Sequence, residues 1–264
     1  MTNSVEVTHA DASRPAVWAR EVYKSFAGRT VLDGVSLKIM PGQVVSLIGP
    51  SGAGKSTMLR CLTMLDRYDG GTLSYGDLTV CSGDKGSCVY DRDAVKKARM
   101  HFGLVFQSYN LFPHYTVLRN VMDAPIRVQG RDKGEVESQA RELLAQLGLS
   151  EHADKVPDQL SGGQQQRVAI ARALCMNPEV MYFDEATSAL DPKLTAEMHD
   201  LIRSMADRGM AVGIVTHEMG FARTVSDRVA FLFEGRIVEE GQAEEVINHP
   251  KDERTRGFLS MAED

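Results

Sequence analysis

A glycine-rich stretch near the start of the chain has the residue types and spacing of a phosphate-binding loop. Residues 49–57 read GPSGAGKST and fit the pattern G-x-x-x-x-G-K-[ST], in which glycines let backbone N–H groups wrap around a phosphate chain. Lys55 is placed to neutralise the β- and γ-phosphates, and the Ser56 hydroxyl to bind Mg²⁺. An apolar run precedes the loop and a helical pattern follows it, as this motif requires. The residues predicted to bind a nucleotide are Gly49, Pro50, Ser51, Gly52, Ala53, Gly54, Lys55, Ser56 and Thr57.

Two acidic residues end an apolar run much later in the chain, where residues 180–185 read VMYFDE. A phosphate loop needs a carboxylate at the end of a neighbouring strand, so Asp184 is predicted to hold Mg²⁺, and Glu185 to orient or deprotonate the attacking water. Seen alone, such a pair is more often a solvated turn. His217 ends the run AVGIVTH and is expected at the same edge of a parallel sheet, although a lone histidine at a strand end is usually structural.

A second helix start suited to an anion lies at residues 160–174, LSGGQQQRVAIARAL. Ser161, Gly162 and Gly163 form a turn that opens onto a run with helical spacing. The first N–H groups of a helix and its dipole favour a negative charge at that end. The sequence therefore predicts two phosphate-facing helix starts in one chain.

Composition limits the class of protein. The 264 residues carry a formal net charge of -6, with 43% hydrophobic and 25% charged residues, which predicts a globular chain with a sizeable core. The acidic balance argues against a nucleic-acid partner, and no apolar run reaches the length of a membrane helix. Residues 1–16 lack a signal-peptide pattern and are interpreted as a flexible leader. The four cysteines form no zinc pattern and are expected to be reduced thiols.

The periodicity predicts an α/β fold. Strands are expected over residues 31–39, 44–49, 103–107, 180–185 and 211–217, and as a hairpin over 229–241 with its turn at Glu234 and Gly235. Helices are expected over 56–65, over the charged segment 90–103, and in a long amphipathic block over 116–174, with another over 194–209. This pattern indicates a P-loop NTPase core with a mainly parallel sheet, an N-terminal antiparallel β portion and an inserted α-helical subdomain. The expected division is a leader 1–16, an ATPase domain 17–264 with core 17–107 and 175–245, a helical subdomain 108–174 and a tail 246–264.

Taken together and in order, these motifs resemble those of the ATP-binding cassette (ABC) ATPases. The resemblance rests on GPSGAGKST, Gln107 after an apolar strand, LSGGQ, VMYFDE, the SALD of residues 188–191 and His217, and it runs from about residue 17 to about residue 241. It implies a head-to-tail dimer in which ATP lies between the phosphate loop of one chain and the LSGGQ of its partner. The two helix starts of one chain would then serve two different ATP molecules.

The resemblance also implies a role for individual residues. Gln107 would touch the metal and link it to a membrane partner, and His217 would contact the γ-phosphate. Phe26 would stack on adenine, where the family more often has tyrosine; taken alone, Phe26 is equally well interpreted as a core residue. Ala186 replaces a usual proline, and activity is expected to survive that change. In the partner's site the signature residues would be Ser161, Gly162, Gly163 and Gln164, and Asp191 would lie at the dimer seam.

Within the family, several segments resemble the ATPase subunits of polar amino-acid importers, such as those for histidine, glutamine or arginine. They are FQSYNLFPHYTVLRNV, the HEMGFAR after Thr216, and the tail 247–260. This implies ATP and Mg²⁺ as cofactors, a second copy and a membrane permease as partners, and indirectly an extracytoplasmic substrate-binding protein. The chain would lie on the cytoplasmic face of the membrane, with residues 109–117 lining the permease groove. The alternative is the ATPase of an exporter or of another non-import ABC complex; no residue here selects an amino acid.

Overall fold

An N-terminal antiparallel sheet forms the first layer of the fold. The computed structural model describes residues 13–185 and 192–262. The strands of this sheet are β1 (Val17–Phe26), β2 (Arg29–Ile39), β4 (Gly70–Tyr75), β5 (Leu78–Gly83) and β6 (Val89–Tyr90), in the order β2-β1-β4-β5-β6. The predicted antiparallel portion is thereby confirmed. Ala16, just before β1, donates its N–H to Ile39 O at 2.9 Å, so the chain joins the sheet from that residue.

The second layer is a six-stranded sheet that carries the predicted parallel core. Its strands are β3 (Val44–Ile48), β7 (Phe102–Val105), β8 (Val180–Asp184), β9 (Ala211–Val215), β10 (Arg228–Phe233) and β11 (Arg236–Gln242), in the order β11-β10-β3-β9-β8-β7. All neighbours are parallel except the β10–β11 hairpin. Every residue of β3 and β9 is buried, which explains their largely apolar sequences. The one polar side chain among them, Ser46 of β3, is hydrogen-bonded to Ser226 Oγ at 2.6 Å.

Helices cover this sheet and form a separate cluster beside it. They are α1 (Lys55–Leu62), α2 (Arg92–Ala98), α3 (Val117–Gln129), α4 (Lys133–Gln146), α5 (Gly162–Leu174), α6 (Pro192–Asp207), α7 (Met219–Val225), α8 (Ala243–Asn248) and α9 (Glu253–Ala262). Helices α3, α4 and α5 pack on one another, as the amphipathic block predicted. Side-chain caps begin them: Thr116 Oγ1 accepts from Arg119 N, and Asp132 Oδ1 from Gly134 N.

Several predicted elements are shorter than expected. The helix predicted over 90–103 is limited to α2, because Asp91 caps its start and β7 begins at Phe102. Helix α1 ends at Leu62 rather than at residue 65, since Met64 adopts a left-handed backbone with φ 54°. Strand β7 ends at Val105, β8 at Asp184 and β9 at Val215, each two residues or less before its predicted end. Gln107, Glu185 and His217, which were predicted to end these strands, therefore lie in the loops that follow them.

Candidate functional site

The phosphate loop lies between β3 and α1 and is held by two neighbouring elements. Gly49 has φ 147°, and a Cβ added there would lie 2.1 Å from Leu232 O of β10. Gly54 has φ 109°, and its Cβ would lie 3.0 Å from Val31 O. The turn of the β10–β11 hairpin closes on the loop as well, because Gly235 N donates to Ala53 O at 3.2 Å. Tight contact with β2 and β10 therefore requires glycine at both positions.

Lys55 is the first residue of α1 and is buried inside its own loop. Its Nζ donates to Gly49 O at 2.7 Å and to Pro50 O at 3.1 Å. Burial lowers the pKa of the ammonium, and the negative charges of Glu185 and Asp184 oppose that shift. The ammonium is thus held by the carbonyl groups of the phosphate loop, close to Asp184 and Glu185.

Asp184, the last residue of β8, provides an oxygen suited to a metal. Its Oδ1 is buried and, among the described residues, has no hydrogen-bond partner. Burial first, and then the charge of Glu185, raise the pKa of this carboxyl, while a hydrogen bond with the Ser56 side chain lowers it. Mg²⁺ prefers oxygen ligands and is typically held by one or two carboxylates together with substrate phosphates. The buried Oδ1 beside a hydroxyl fits that requirement.

Glu185 and His217 meet at the carboxyl edge of the parallel sheet. Glu185 adopts a left-handed backbone with φ 49°, and its N–H donates to Val215 O at 2.8 Å. His217 Nδ1 lies 3.7 Å from Glu185 Oε1. Thr216 Oγ1 accepts from Glu218 N at 3.0 Å and fixes the turn that carries the histidine. The structure therefore brings Lys55, Asp184, Glu185 and His217 together, as the strand order implies.

The second helix start is capped from within the chain. Ser161 Oγ accepts from Gln164 N at 3.4 Å, and Gln164 Oε1 accepts from Ser161 N at 2.9 Å, which forms a capping box at the start of α5. The Nε2 of Gln164 also lies 2.7 Å from His152 Nε2. The Gln164 side chain is thus used to shape the turn. No motif in the sequence indicated His152.

The two glycines of this turn face in different directions. Gly162 is exposed, and a Cβ added there would meet only the Tyr109 hydroxyl at 3.5 Å. Gly163 is buried, and its Cβ would lie 2.7 Å from Leu194 Cδ1 of α6. Ser161 and Gly162 therefore form the accessible part of the turn, whereas the Cα of Gly163 faces the chain's own α6.

Phe26 and Gln107 lie at element ends and are exposed. Phe26 ends β1 with 45% of its surface accessible, so its interpretation as a core residue is wrong. Lys24 Nζ lies 4.8 Å from the Phe26 ring centroid and pairs with Asp69 Oδ1 at 3.1 Å. Gln107 follows β7 by two residues. The predicted dimer-seam residue Asp191 and the unusual Ala186 lie outside the described residues.

The segment after Gln107 is shaped by a side chain that the motifs did not indicate. Asn120 of α3 is 1% exposed; its Oδ1 accepts from Phe112 N at 2.8 Å, and its Nδ2 contacts the carbonyls of Phe112 and Tyr115 at 3.1 and 3.2 Å. Phe112 is 50% exposed and packs on Tyr115, and Arg119 lies over the Tyr115 ring. A polar residue at an apolar position of the α3 pattern was the available signal for Asn120.

The fold is that of a P-loop NTPase with an additional helical cluster, and known proteins define its class further. The family model described as "ABC transporter" matches residues 32–188. The L-cystine transport system ATP-binding protein TcyN of Escherichia coli K12 is 48% identical over 244 residues, which cover 92% of this chain and 97% of that protein. The arginine transport ATP-binding protein ArgV of Corynebacterium glutamicum is 47% identical, with 92% and 96% covered.

A solved structure of similar fold is the ATP-binding cassette MJ0796, described as a dimeric post-hydrolysis state bound to ADP and Pi. It is 36% identical, with a TM-score of 0.74, and the match covers 86% of this chain and 98% of that one. This chain belongs to the ABC transporter family and is one of its ATP-binding, ATP-hydrolysing members. Within residues 13–185 and 192–262, no helix has the length and apolarity needed to cross a membrane.

Proposed function

We propose that this chain is the ATP-hydrolysing subunit of an importer for polar amino acids. Relatives at 46–48% identity are named for the transport of L-cystine, arginine and nopaline, and the nopaline protein of Agrobacterium fabrum is named as a permease ATP-binding protein. The chain would work as a dimer on the cytoplasmic face of the membrane, against a permease. An extracytoplasmic substrate-binding protein would deliver the amino acid to that permease.

The contact between Glu185 and His217 beside Asp184 is the observation that carries the proposed chemistry. A left-handed backbone turns Glu185 away from the β8 direction and towards His217, where its carboxylate accepts a proton from the attacking water. Lys55 and His217 would each contact the phosphates. Positioning of the attacking water and neutralisation of the phosphate charge are the contributions on which phosphoryl transfer chiefly depends.

Magnesium would be held by Ser56, Gln107 and Asp184. When bound, the ion neutralises charge on the phosphate oxygens. The support from this chain is the buried, unpartnered Oδ1 of Asp184 and the hydrogen bond between that carboxyl and Ser56. A Mg²⁺ ion bound here would remove the energetic cost of burying the Asp184 Oδ1 without a partner.

The remaining site residues would act in two half-sites. In one chain, the whole loop 49–57 binds the phosphates and Phe26 stacks on adenine; its exposed ring supports that role. In the partner's site, Ser161 and Gly162 would approach the γ-phosphate with their accessible surface and Gly163 with its backbone N–H, while Gln164 would hold the turn through its capping box with Ser161. Asp191 would lie at the seam between the chains.

The permease groove would be lined by residues 109–117. Phe112, Tyr115 and Arg119 form a stacked, partly exposed surface there, and Asn120 fixes the backbone beneath it. We further propose the division into core 17–107 and 175–245, helical subdomain 108–174, tail 246–264 and leader 1–16, whose last residue, Ala16, already bonds to Ile39 of the sheet. The packing of α3, α4 and α5 on one another supports a helical unit of this extent.

Replacement of the proposed base tests this function directly. Glu185→Gln should keep ATP binding but lose about a hundredfold or more of the hydrolysis rate, the lower range for removal of a general base. It should also accumulate an ATP-dependent dimer on gel filtration. Glu218→Gln removes the same charge one residue beyond His217 and serves as the matched control, with wild-type turnover expected. Turnover in Glu185→Gln equal to that of the control would remove Glu185 from the mechanism.

Import of an amino acid must be tested on the assembled complex. The chain should be copurified with its permease and substrate-binding protein, and its ATPase rate measured with single amino acids added. Stimulation by a polar amino acid supports import. A rate that responds to no amino acid, but rises with an exported compound, would contradict it.

A further inference from the structure

The loop after Gln107 contains two consecutive strained residues. Tyr109 and Asn110 both have left-handed backbones, with φ 56° and 49°. Asparagine tolerates this region, but a bulky tyrosine does so only when its surroundings hold it there. Such strain persists only where other contacts impose it. A specific restraint on this loop is therefore expected.

Arg172 provides that restraint from the last turn of α5. Its guanidinium donates to Asn110 O at 2.6 Å and to Tyr109 O at 2.8 Å. The planar fork of arginine suits two adjacent acceptors, which a single lysine ammonium cannot match. Arg172 is partly buried, and this burial lowers the pKa of its guanidinium. Its hydrogen bonds to the two loop carbonyls offset part of the cost of removing the cation from water.

The Tyr109 side chain continues the connection along the same helix. It packs against the hydrophobic cluster of the helical region, and its hydroxyl lies near Gly162, the first residue of α5. Arg172 and Gly162 are ten residues apart, or about 15 Å along a helix axis. Tyr109 therefore extends beside α5 from the Arg172 guanidinium to the accessible end of the signature turn.

We propose that Arg172 and Tyr109 are positioning residues that fasten the loop after Gln107 to helix α5, so that this loop and the signature turn move as one body. The inference rests on the proposed function, since it links the surface offered to the permease with the turn offered to the partner's ATP. We call the contacts of Arg172 with the Tyr109 and Asn110 carbonyls, together with the Tyr109 side chain, the clamp. Arg172 and Asn110 are 62 residues apart in the sequence. A displacement of the loop is then transmitted to Ser161 and Gly162 without any change inside α5.

Hydrogen exchange of the free chain tests the clamp without requiring a dimer. Arg172→Lys keeps the charge but loses the fork, and it should raise exchange in segment 106–112 and also in segment 161–165, by at least about fivefold, the lower end of typical coupling between sites. Arg131→Lys is the matched control, because Arg131 also donates to a backbone carbonyl, Cys175 O at 3.0 Å, away from the loop. Faster exchange in 106–112 alone would overturn the proposal.

The consequence for the signature is measured in the Glu185→Gln background. Arg172→Lys should leave ATP binding by the monomer within about twofold, yet weaken ATP-dependent dimerisation about tenfold. Tyr109→Gly removes the side chain while relieving the strained backbone, and it should weaken dimerisation to a similar degree. Wild-type dimerisation in both variants, with only a lower melting temperature, would reduce the clamp to a local structural contact.

Failure of the proposed function gives a different result from failure of the clamp. If Glu185→Gln itself forms no dimer with ATP, the shared-site function is wrong. The exchange experiment still decides on the clamp in that case, because it compares two segments of one monomer. Coupled exchange without dimerisation would support the clamp and reject the function.

Discussion

The loop between Gln107 and α3 depends on one buried amide, and its replacement has a stability cost that follows from the hydrogen bonds. The Asn120 side chain accepts from Phe112 N and donates to Phe112 O and Tyr115 O. It also contacts Thr116 O, which already accepts the backbone N–H of Asn120. Asn120→Leu leaves these groups without a partner at similar side-chain volume. Each unsatisfied buried group costs about 1–3 kcal/mol, and water can reach part of this half-exposed loop. We expect a total loss of about 1–3 kcal/mol.

Asn120→Asp should lower the free energy of unfolding by an amount that depends on pH. The new carboxyl would face carbonyl oxygens, so its pKa in the folded state is raised above the unfolded value of about 3.9. The added destabilisation is absent below that unfolded pKa and grows as the pH rises towards the folded one. Urea denaturation at pH 4.5 and at pH 7 should therefore show a larger loss at pH 7 for Asn120→Asp, and equal losses for Asn120→Leu. A wild-type midpoint for Asn120→Leu, or a pH-independent loss for Asn120→Asp, would refute this account of the loop.

Three further predictions concern separate parts of the molecule. Phe26→Ala should weaken ATP binding by about 1–3 kcal/mol, the usual range for base–aromatic stacking, with an unchanged unfolding midpoint, and Phe26→Tyr should bind normally in the same titration. Glu179 lies 3.0 Å from His101, which raises the pKa of His101 and lowers that of Glu179. Glu179→Gln should therefore lose up to about 1 kcal/mol of stability between pH 4.5 and 6.5, and the difference from wild type should vanish above the folded pKa of His101 and below that of Glu179. Gly162→Ala should gain up to about 1 kcal/mol of helix propensity, whereas Gly163→Ala should be less stable than Gly162→Ala because its Cβ must displace the Leu194 side chain of α6; thermal unfolding compares the two.

Sequence could predict the parts of the site whose chemistry dictates a residue type. The phosphate loop, the acidic pair and the histidine follow from motif spacing, and parallel strand order places them at one edge. A fully buried strand such as β3 is evident as a short, largely apolar run. These features depend on local pattern and on a general rule of sheet topology.

Contacts between distant segments could not be predicted in this way. Arg172 donates to the Asn110 carbonyl, which lies 62 residues away in the sequence. Nothing in the residues around Arg172 indicates this partner. The opposite directions of Gly162 and Gly163 depend on where α6 packs, because Leu194 occupies the space beside the second glycine. Helix α1 ends early, at Leu62, because Met64 adopts a left-handed backbone that apolar periodicity does not predict.

If the signature of one chain completes the ATP site of another, two inactive variants should restore one complete site when they are mixed. Lys55→Ala breaks the phosphate loop, and Gly162→Asp places a carboxylate on the accessible signature turn, where it repels a phosphate. Both are made in the Glu185→Gln background, with Gly162→Asn as the control of equal size and no charge.

Dimer formation with ATP is then measured by gel filtration, for each variant alone and for an equal mixture. We expect no dimer from Lys55→Ala or Gly162→Asp alone, because both sites of each homodimer are broken. A dimer should appear on mixing, since one site of the mixed pair combines an intact Lys55 with an intact Gly162. The Gly162→Asn control should dimerise without a partner variant. A mixture that stays monomeric, under conditions where the Glu185→Gln parent dimerises, would contradict the shared site.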